Sequence, residues 1–180
     1  MDLLDFEAQG LYFEEPDVLG VKEMIANAAE NYATGDAELP LLRAYFLAPE
    51  SLNVLVALNR FYYYQHRLED ALNATLKALA VIRPIIGFPE DWHELQQSHI
   101  NDAPANLLTQ VRLYLFTLKA IGFLNMRLEC LDVSQGIFEK LVGLDSKDRI
   151  GAKGLLELVI KRKGENTTLF ITGARSCLKR

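Results

Sequence analysis

The sequence has little cysteine, no long uncharged apolar run and no excess of positive charge. Its 180 residues include two cysteines, Cys130 and Cys177, which are far apart and form no C-x-x-C pair or metal-ligand spacing. This predicts one buried thiol and one tail thiol, both reduced, in a cytoplasmic protein. The formal net charge of −5 argues against a general nucleic-acid binder.

Signals for export and membrane insertion are also missing. The first ten residues contain no basic stretch followed by an apolar core, so we predict no secretory signal. The most apolar stretch is interrupted by Arg112, Lys119 and Arg127, and it falls short of the roughly 20 residues needed to cross a bilayer. We therefore expect no membrane association.

The motifs of common catalytic sites are absent. The chain contains no G-x-x-x-x-G-K-[ST], G-x-S-x-G or H-E-x-x-H sequence. One dense polar cluster lies in residues 90–102, where Asp91, His93 and His99 have side chains able to ligate a divalent metal. Their spacing matches no standard site. We predict no catalytic residues, no cofactor and no metal, and keep as an alternative a metal-dependent enzyme or regulator that uses this cluster.

Helical periodicity is the main positive signal. In residues 51–83, apolar residues recur at helical spacing on both sides of a turn at 65–67, which predicts a helical hairpin. Ala71 and Ala78 lie where two helices would cross, and small residues there let the helix axes approach to roughly 8–9 Å. The same periodicity predicts further helices at residues 18–31, 37–47, 107–127, 131–144 and 148–162, with Pro84 ending the central pattern.

A period of 34 residues links the central hairpin to the segment before it, from Ala37 to Ala71 and from Ala44 to Ala78. A helix-turn-helix unit with this period resembles the tetratricopeptide (TPR) repeat, W-x2-L-G-x2-Y…A-x3-F…P. The central repeat carries the motif positions as Leu55, Leu58, Asn59, Tyr62, Ala71, Thr75 and Ala78.

A shift of 63 residues extends the resemblance to a third repeat. It places Gly122 at the Gly position of the motif and Phe138 at the Phe position, where the central repeat has Asn59 and Thr75. The third repeat departs from the motif at Ser134 and at residue 141, where the family prefers Ala.

The resemblance implies an all-α, TPR-like solenoid of about three helical hairpins plus a capping helix over residues 18–162. Residues 84–104 contain three prolines and fit no repeat, so we predict a non-repeat insertion with a short helix at 90–98. Residues 1–17 form an acidic arm with six carboxylates and no Lys or Arg, and residues 163–180 form a basic C-terminal tail. The arm is either solvated or docks in the groove of this protein or of a partner.

In TPR proteins the first helix of each hairpin lines a concave face. The resemblance implies a peptide-binding groove formed by Lys22, Asn53, Val56, Arg60, Tyr63, Tyr64, Phe116, Lys119 and Phe123. Cations among apolar and aromatic side chains suit a protein or peptide segment that carries carboxylates and apolar anchors. Two alternatives are that Tyr63 and Tyr64 pack against residues 84–104, and that the aromatic face is the self-interface of a homodimer.

The resemblance implies a non-catalytic protein that binds a peptide or partner protein as an adaptor or assembly chaperone. The segments LLRAYFLAP and VLVALNRFYYYQHRLEDAL are also similar to short TPR proteins associated with bacterial nitrogen-fixation gene clusters. Size, acidity and three repeats resemble type III secretion chaperones as well, and this remains an alternative.

Overall fold

All regular secondary structure in the described residues is helical. The computed structural model describes residues 20–32 and 36–177, with side chains as far as residue 165. This confirms the predicted all-α fold for that part of the chain. The acidic arm at residues 1–17 lies outside it. The α-helices in chain order are α1 (Val21–Glu30), α2 (Glu38–Leu47), α3 (Leu52–Tyr64), α4 (Leu68–Ile86), α5 (Gln97–Asn101), α6 (Leu108–Arg127), α7 (Leu131–Leu144) and α8 (Lys153–Cys177).

The longer helices form three successive hairpins followed by a final helix. The hairpin partners are α1 with α2, α3 with α4, and α6 with α7, and α8 packs on α7. Neighbouring hairpins meet where α2 packs on α3 and where α4 packs on α6. As a result α4 lies between α3 and α6, at the centre of the molecule.

The turns of the second and third hairpins have the same backbone conformation. His66 and Glu129, which are 63 residues apart, have left-handed φ angles of 58° and 61°. A 2.9 Å hydrogen bond closes each turn, from the N–H of Arg67 to the carbonyl of Tyr62 and from the N–H of Cys130 to the carbonyl of Asn125. The 63-residue shift seen in the sequence therefore corresponds to equivalent backbone positions.

The helices of the third hairpin approach closely at Gly122. A Cβ atom at this position would lie 2.8 Å from Cε1 of Phe138 and 3.0 Å from Cγ2 of Ile137. Phe138 and Ile137 are both fully buried. Glycine fits here without displacing a neighbour, because the ring of Phe138 occupies the space that a larger side chain would need.

The second hairpin uses a polar contact at the equivalent place. The side-chain amide of Asn59 donates to the hydroxyl of Thr75 and, at 3.2 Å, to the carbonyl of Ala71. Thr75 in turn donates to the Ala71 carbonyl at 2.7 Å. Asn59 and Thr75 therefore replace the Gly–aromatic contact of the third hairpin by a hydrogen bond between α3 and α4.

The small residues predicted at helix crossings are buried. Ala37, Ala44 and Ala71 are fully buried, and Ala78 is 4 % exposed. The buried apolar residues form two clusters. One joins α1 and α2 to α3 and α4, and the larger one extends from α3 to α8 around α6, where Tyr114 and Leu118 have almost no exposed surface.

The predicted end of the central helix at Pro84 is wrong, because α4 continues to Ile86. Proline normally disrupts a helix interior by removing one N–H donor. Here the helix ends within one turn of the proline, where Gly87 adopts a left-handed φ of 68° and the N–H of Phe88 binds the carbonyl of Arg83 at 3.2 Å. Burial of Ile86 and Phe88 stabilises this last turn.

The predicted helix at residues 90–98 is also corrected. The segment forms a 3-10 helix at Trp92–Glu94 and the short helix α5. It packs on the third hairpin, since the ammonium of Lys140 donates to the carbonyls of His93 (2.6 Å) and Leu95 (3.2 Å). The Phe88 ring meets that of Tyr114 edge to face at 5.0 Å.

The last helix starts later and extends further than predicted. Asp148 does not lie in α8, because its carboxylate accepts hydrogen bonds from the N–H groups of Ala152 (2.8 Å) and Lys153 (3.1 Å) and so prepares the start of the helix. From Lys153 the helix continues to Cys177, through most of the segment predicted to be a tail.

The structure also bears on the predicted buried thiol and on the most apolar stretch of the chain. Cys130 is exposed, so the prediction of a buried thiol is wrong for this residue. In the described part of the chain, one stretch, Ala105–Arg127, is long and apolar enough to cross a membrane by length and composition. In the most apolar 18 residues of this stretch, 56 % are buried inside the protein, as in the core helix of a globular domain.

Candidate functional site

An open cleft of about 430 Å³ lies between α1, α2 and α3, and is called the α1–α3 cleft below. Small residues from three segments line it: Ala28, Ala29, Ala37 and Ala57. Aromatic rings of Tyr32, Phe61 and Tyr64 and the guanidinium side chain of Arg60 line the rest, with Ile25 and Leu41. Its volume falls in the range of about 300–1,000 Å³ that is typical of ligand pockets.

The aromatic part of the cleft is a connected set of rings. The Tyr32 ring contacts those of Phe61 and Tyr64 edge to face, with centroid distances of 6.0 and 6.2 Å. Burial raises the pKa of Tyr32, against the lowering effect of a hydrogen bond with Gln65. Tyr32 therefore stays a neutral hydroxyl at physiological pH and adds no negative charge to the cleft.

A second, much smaller hollow of about 40 Å³ lies between α3, α4 and α6, and is called the α3–α6 hollow. Val56 and Arg60 line it from α3, and Phe116 and Ala120 line it from α6. The hydrogen-bonded pair of Asn59 and Thr75 also lines it. It has room for about one water molecule or the end of one side chain.

Arg60 is the residue shared by the two spaces. It lines both the α1–α3 cleft and the α3–α6 hollow, and is the one charged residue among the residues described as lining either of them. A guanidinium at this junction presents donors that match a carboxylate in a fork geometry. The described linings of the two spaces thus combine apolar walls with one positive charge.

The structure brings some of the predicted groove residues together. Arg60 and Tyr64 line the cleft, and Val56, Arg60 and Phe116 line the hollow. Tyr63 and Phe123 lie beside them as a packed pair, with ring centroids 6.0 Å apart.

Tyr63 also accepts a 3.3 Å hydrogen bond from the guanidinium of Arg127. Tyr64 contacts Tyr32 and Tyr63. These contacts are with α3, α6 and Tyr32, which follows α1, so the alternative that both tyrosines merely pack against residues 84–104 is not supported.

Lys119 must be removed from the predicted groove. It is 4 % exposed, and its ammonium donates to the carbonyl of Ile150 at 2.6 Å. Burial lowers its pKa, with the carboxylate of Asp148 acting in the opposite direction. A charge held inside the protein against the segment before α8 is not available to a ligand.

Two further predicted groove residues, Asn53 and Lys22, also line neither space. Asn53 is buried, so it does not face a ligand either. Lys22 is exposed on α1 but lines neither space. The TPR positions fail at Asn53 and Lys119 because those side chains turn toward the packed interior.

The predicted groove lacks most of the cleft wall contributed by α1, α2 and the residues next to them, including Tyr32 and Leu41. The available signal was the set of alanines at residues 28, 29, 37 and 57. Small residues on neighbouring helices allow close packing, but leave a hollow where the helices diverge. Their spacing alone does not distinguish these two outcomes.

A third cleft of about 640 Å³ lies elsewhere, between α5, α6 and the segment before α8. Gln97, Asn101, Lys147 and Arg149 line it together with apolar residues. It is more open and more polar than the α1–α3 cleft, and it shares no residue with it.

The polar cluster at residues 90–102 does not converge on one point. The ring Nδ1 of His93 lies 2.6 Å from the carboxylate of Asp91, and hydrogen bonds from His93 lower the pKa of Asp91. His99 instead accepts a hydrogen bond from the N–H of Gln96 and packs against Phe88. Within the described residues, no group of three His, Cys, Asp or Glu side chains could hold a metal ion.

The fold and the cleft define an all-α protein of stacked helical hairpins with an apolar cleft beside an arginine. No family model matches the sequence, and no solved structure matches it. The chain is 40 % identical over 176 residues to an uncharacterized 19.8 kDa protein in the nifW 5′ region of Azotobacter chroococcum mcd 1. The match covers 98 % of each chain, and the chain belongs to the family of this protein. This agrees with the resemblance to proteins of bacterial nitrogen-fixation gene clusters.

Proposed function

We propose that the three hairpins are TPR-like repeats. The equivalent turns at His66 and Glu129 support this, because they repeat with the 63-residue shift. The contact between Gly122 and Phe138 also supports it, since these residues occupy the Gly and aromatic positions of the TPR motif. In this assignment α1, α3 and α6 are the first helices of their hairpins, and α8 is the capping helix.

The function that the site supports best is non-catalytic binding of a segment of a partner protein. The observation that carries it is the position of Arg60 between the α1–α3 cleft and the α3–α6 hollow. The cleft accepts apolar side chains against its alanines, and the guanidinium binds a carboxylate of the same segment. Aromatic rings such as Tyr64 add contact area at low entropy cost. The ligand is therefore an extended or helical segment with apolar anchors next to an acidic residue.

The biological role we propose is that of a cytoplasmic adaptor or assembly chaperone in nitrogen fixation. The described location of the relative, in the nifW 5′ region, supports this link. The role requires no catalytic group, cofactor or bound metal.

The first experiment uses the full-length chain as bait in extract from nitrogen-fixing cells. Arg60→Glu should abolish capture of the specific partner, because a guanidinium that binds a carboxylate is replaced by a repelling charge. Arg149→Glu makes the same change of charge in the separate polar cleft and should leave capture unchanged. Equal capture by the unmodified chain and by Arg60→Glu would refute the proposal.

A steric pair of variants tests the cleft without changing charge. Ala57 lines the cleft, and Ala57→Leu should fill part of it. We expect the affinity for the partner to fall tenfold or more, which corresponds to about 1.4 kcal/mol of binding free energy. Ala26→Leu is the control, because Ala26 is exposed on α1 and does not line the cleft. Circular dichroism melts of all four variants check that the fold is retained. If Ala57→Leu binds the identified partner as well as Ala26→Leu does, the partner occupies another surface.

A further inference from the structure

We propose that the acidic arm, residues 1–17 of this chain, docks in the α1–α3 cleft and competes there with the partner segment. The inference rests on the proposed function, because it assigns a regulator to the same site. The arm is thus an intramolecular ligand whose chemistry matches that of the partner.

The first support is complementarity between the arm and the cleft. The arm contains two segments in which large apolar residues adjoin carboxylates, Leu3-Leu4-Asp5-Phe6-Glu7 and Leu11-Tyr12-Phe13-Glu14-Glu15, and it contains no Lys or Arg. The cleft has apolar walls, and the one charged residue that lines it in the described structure is Arg60. Each arm segment therefore offers the two groups that the cleft can bind, an apolar anchor and a carboxylate.

The second support is the reach of the arm. The described chain begins at Gly20, at the start of α1, and Ala28 and Ala29 of the cleft lie about 12–14 Å further along this helix at 1.5 Å per residue. Leu11, Tyr12 and Phe13 precede Gly20 by seven to nine residues, which span up to about 23–32 Å when extended. The second apolar-acidic segment therefore reaches the cleft when the chain folds back along α1.

A competing surface is the apolar stripe of α2 formed by Leu39, Leu42 and Phe46. These side chains are 56 %, 42 % and 86 % exposed. None of them lines a described cavity. Apolar side chains such as those of Leu11 and Phe13 would lose more exposed surface inside the α1–α3 cleft than on a stripe along one helix. This favours the cleft as the docking site.

The test is a spin-label experiment on the full-length chain without any partner. Cys130→Ser and Cys177→Ser remove the native thiols, and Gln9→Cys carries a nitroxide between the two arm segments. We expect the amide signals of residues 28–32 and 57–64 to be strongly broadened, and those of α7 to be unaffected. Adding Arg60→Glu should restore the cleft signals, whereas Arg149→Glu should not.

Several results would overturn the proposal. Unbroadened cleft amides would show that the arm does not dock, and broadening centred on α2 would assign it to the stripe. Spin-labelled chains mixed with isotope-labelled chains report on docking between copies, and cleft broadening in that mixture would overturn the intramolecular arrangement. The spin-label experiment contains no partner, so a negative result would refute docking of the arm only. The proposed function would still be supported if the unmodified chain captures a partner in an Arg60-dependent way.

Competition is tested separately by Glu14→Lys combined with Glu15→Lys. Reversing these charges weakens the arm's hold on Arg60, so capture of the identified partner should increase. Unchanged capture by this variant would show that the arm and the partner do not share the cleft.

Discussion

Replacing Gly122 by alanine tests the close contact between α6 and α7. The added methyl group would lie 2.8 Å from Cε1 of Phe138 and 3.0 Å from Cγ2 of Ile137. Carbon atoms in normal contact are about 3.5–4.0 Å apart, so the ring would have to retreat by about 0.7–1.2 Å. Phe138 is fully buried, and such a shift therefore presses it into an already packed core.

Two opposing contributions determine the sign of the effect. Alanine is favoured over glycine inside a helix by about 1 kcal/mol. Forcing an extra methyl group into a packed core costs about 1–3 kcal/mol. We expect the clash to dominate and Gly122→Ala to lower the free energy of unfolding by up to about 2 kcal/mol. At about 2–4 °C per kcal/mol for a chain of this size, the melting temperature should fall by several degrees.

Gly143→Ala is the matched control, because Gly143 lies in α7 and no atom of the described part of the chain lies within 4 Å of where its Cβ would be. This variant should gain stability, up to about 1 kcal/mol, from helix propensity alone. Urea titration followed by circular dichroism at 222 nm measures both changes. If Gly122→Ala stabilises the protein as much as Gly143→Ala does, α6 and α7 are not in close contact at this point.

Phe138→Leu extends the test to the partner of Gly122. Leucine removes the ring atoms that the new methyl group would meet, so adding Gly122→Ala to Phe138→Leu should cost less than adding it to the unmodified chain. The coupling energy between the two sites should be about 1 kcal/mol or more, as for other residues in direct contact. Additive effects would show that the clash occurs elsewhere.

Three further predictions concern polar side chains. The hydroxyl of Ser134 is fully buried and has no hydrogen-bond partner among the described residues, so Ser134→Ala should raise the free energy of unfolding by about 1 kcal/mol in urea titrations. Ser51→Ala should instead lower it by about 0.5–2 kcal/mol, because Ser51 caps α3 through the N–H of Val54; equal signs for the two variants would contradict this reasoning. Burial lowers the pKa of Lys119, so between that pKa and the unfolded value near 10.4 the unfolded chain binds more protons. Stability relative to Lys119→Met should therefore rise with pH in that interval, and a flat difference in alkaline melts would refute it.

The helical periodicity alone identified most of the long helices. The α7 helix has the predicted bounds, and α2 and α6 each begin one residue later than predicted. These elements were predictable because their apolar stripes and turn residues act locally along the chain. The equivalence of His66 and Glu129 was likewise present in the sequence as a shift of 63 residues.

The helix ends at residues 84–104 and around Asp148 were not predictable in the same way. Pro84 lies inside α4 because tertiary burial of Ile86 and the Gly87 turn outweigh the disruption caused by proline. Asp148 acts before α8 rather than within it because its carboxylate finds the first free N–H groups of that helix. Both helix ends depend on contacts with other residues of the chain, and the helical periodicity does not specify these contacts.

The sequence by itself determined an all-α chain with small residues at its helix crossings and an arginine among aromatic residues on α3. Only the tertiary structure decided which cations face solvent. Arg60 lies at the junction of two spaces because α1, α3 and α6 diverge around it. Lys119, on a similar helix face in the repeat pattern, is buried because the segment before α8 folds over it and supplies the Ile150 carbonyl. The periodicity of a helix specifies its apolar face, whereas the exposure of a polar side chain depends on which distant segment packs on it.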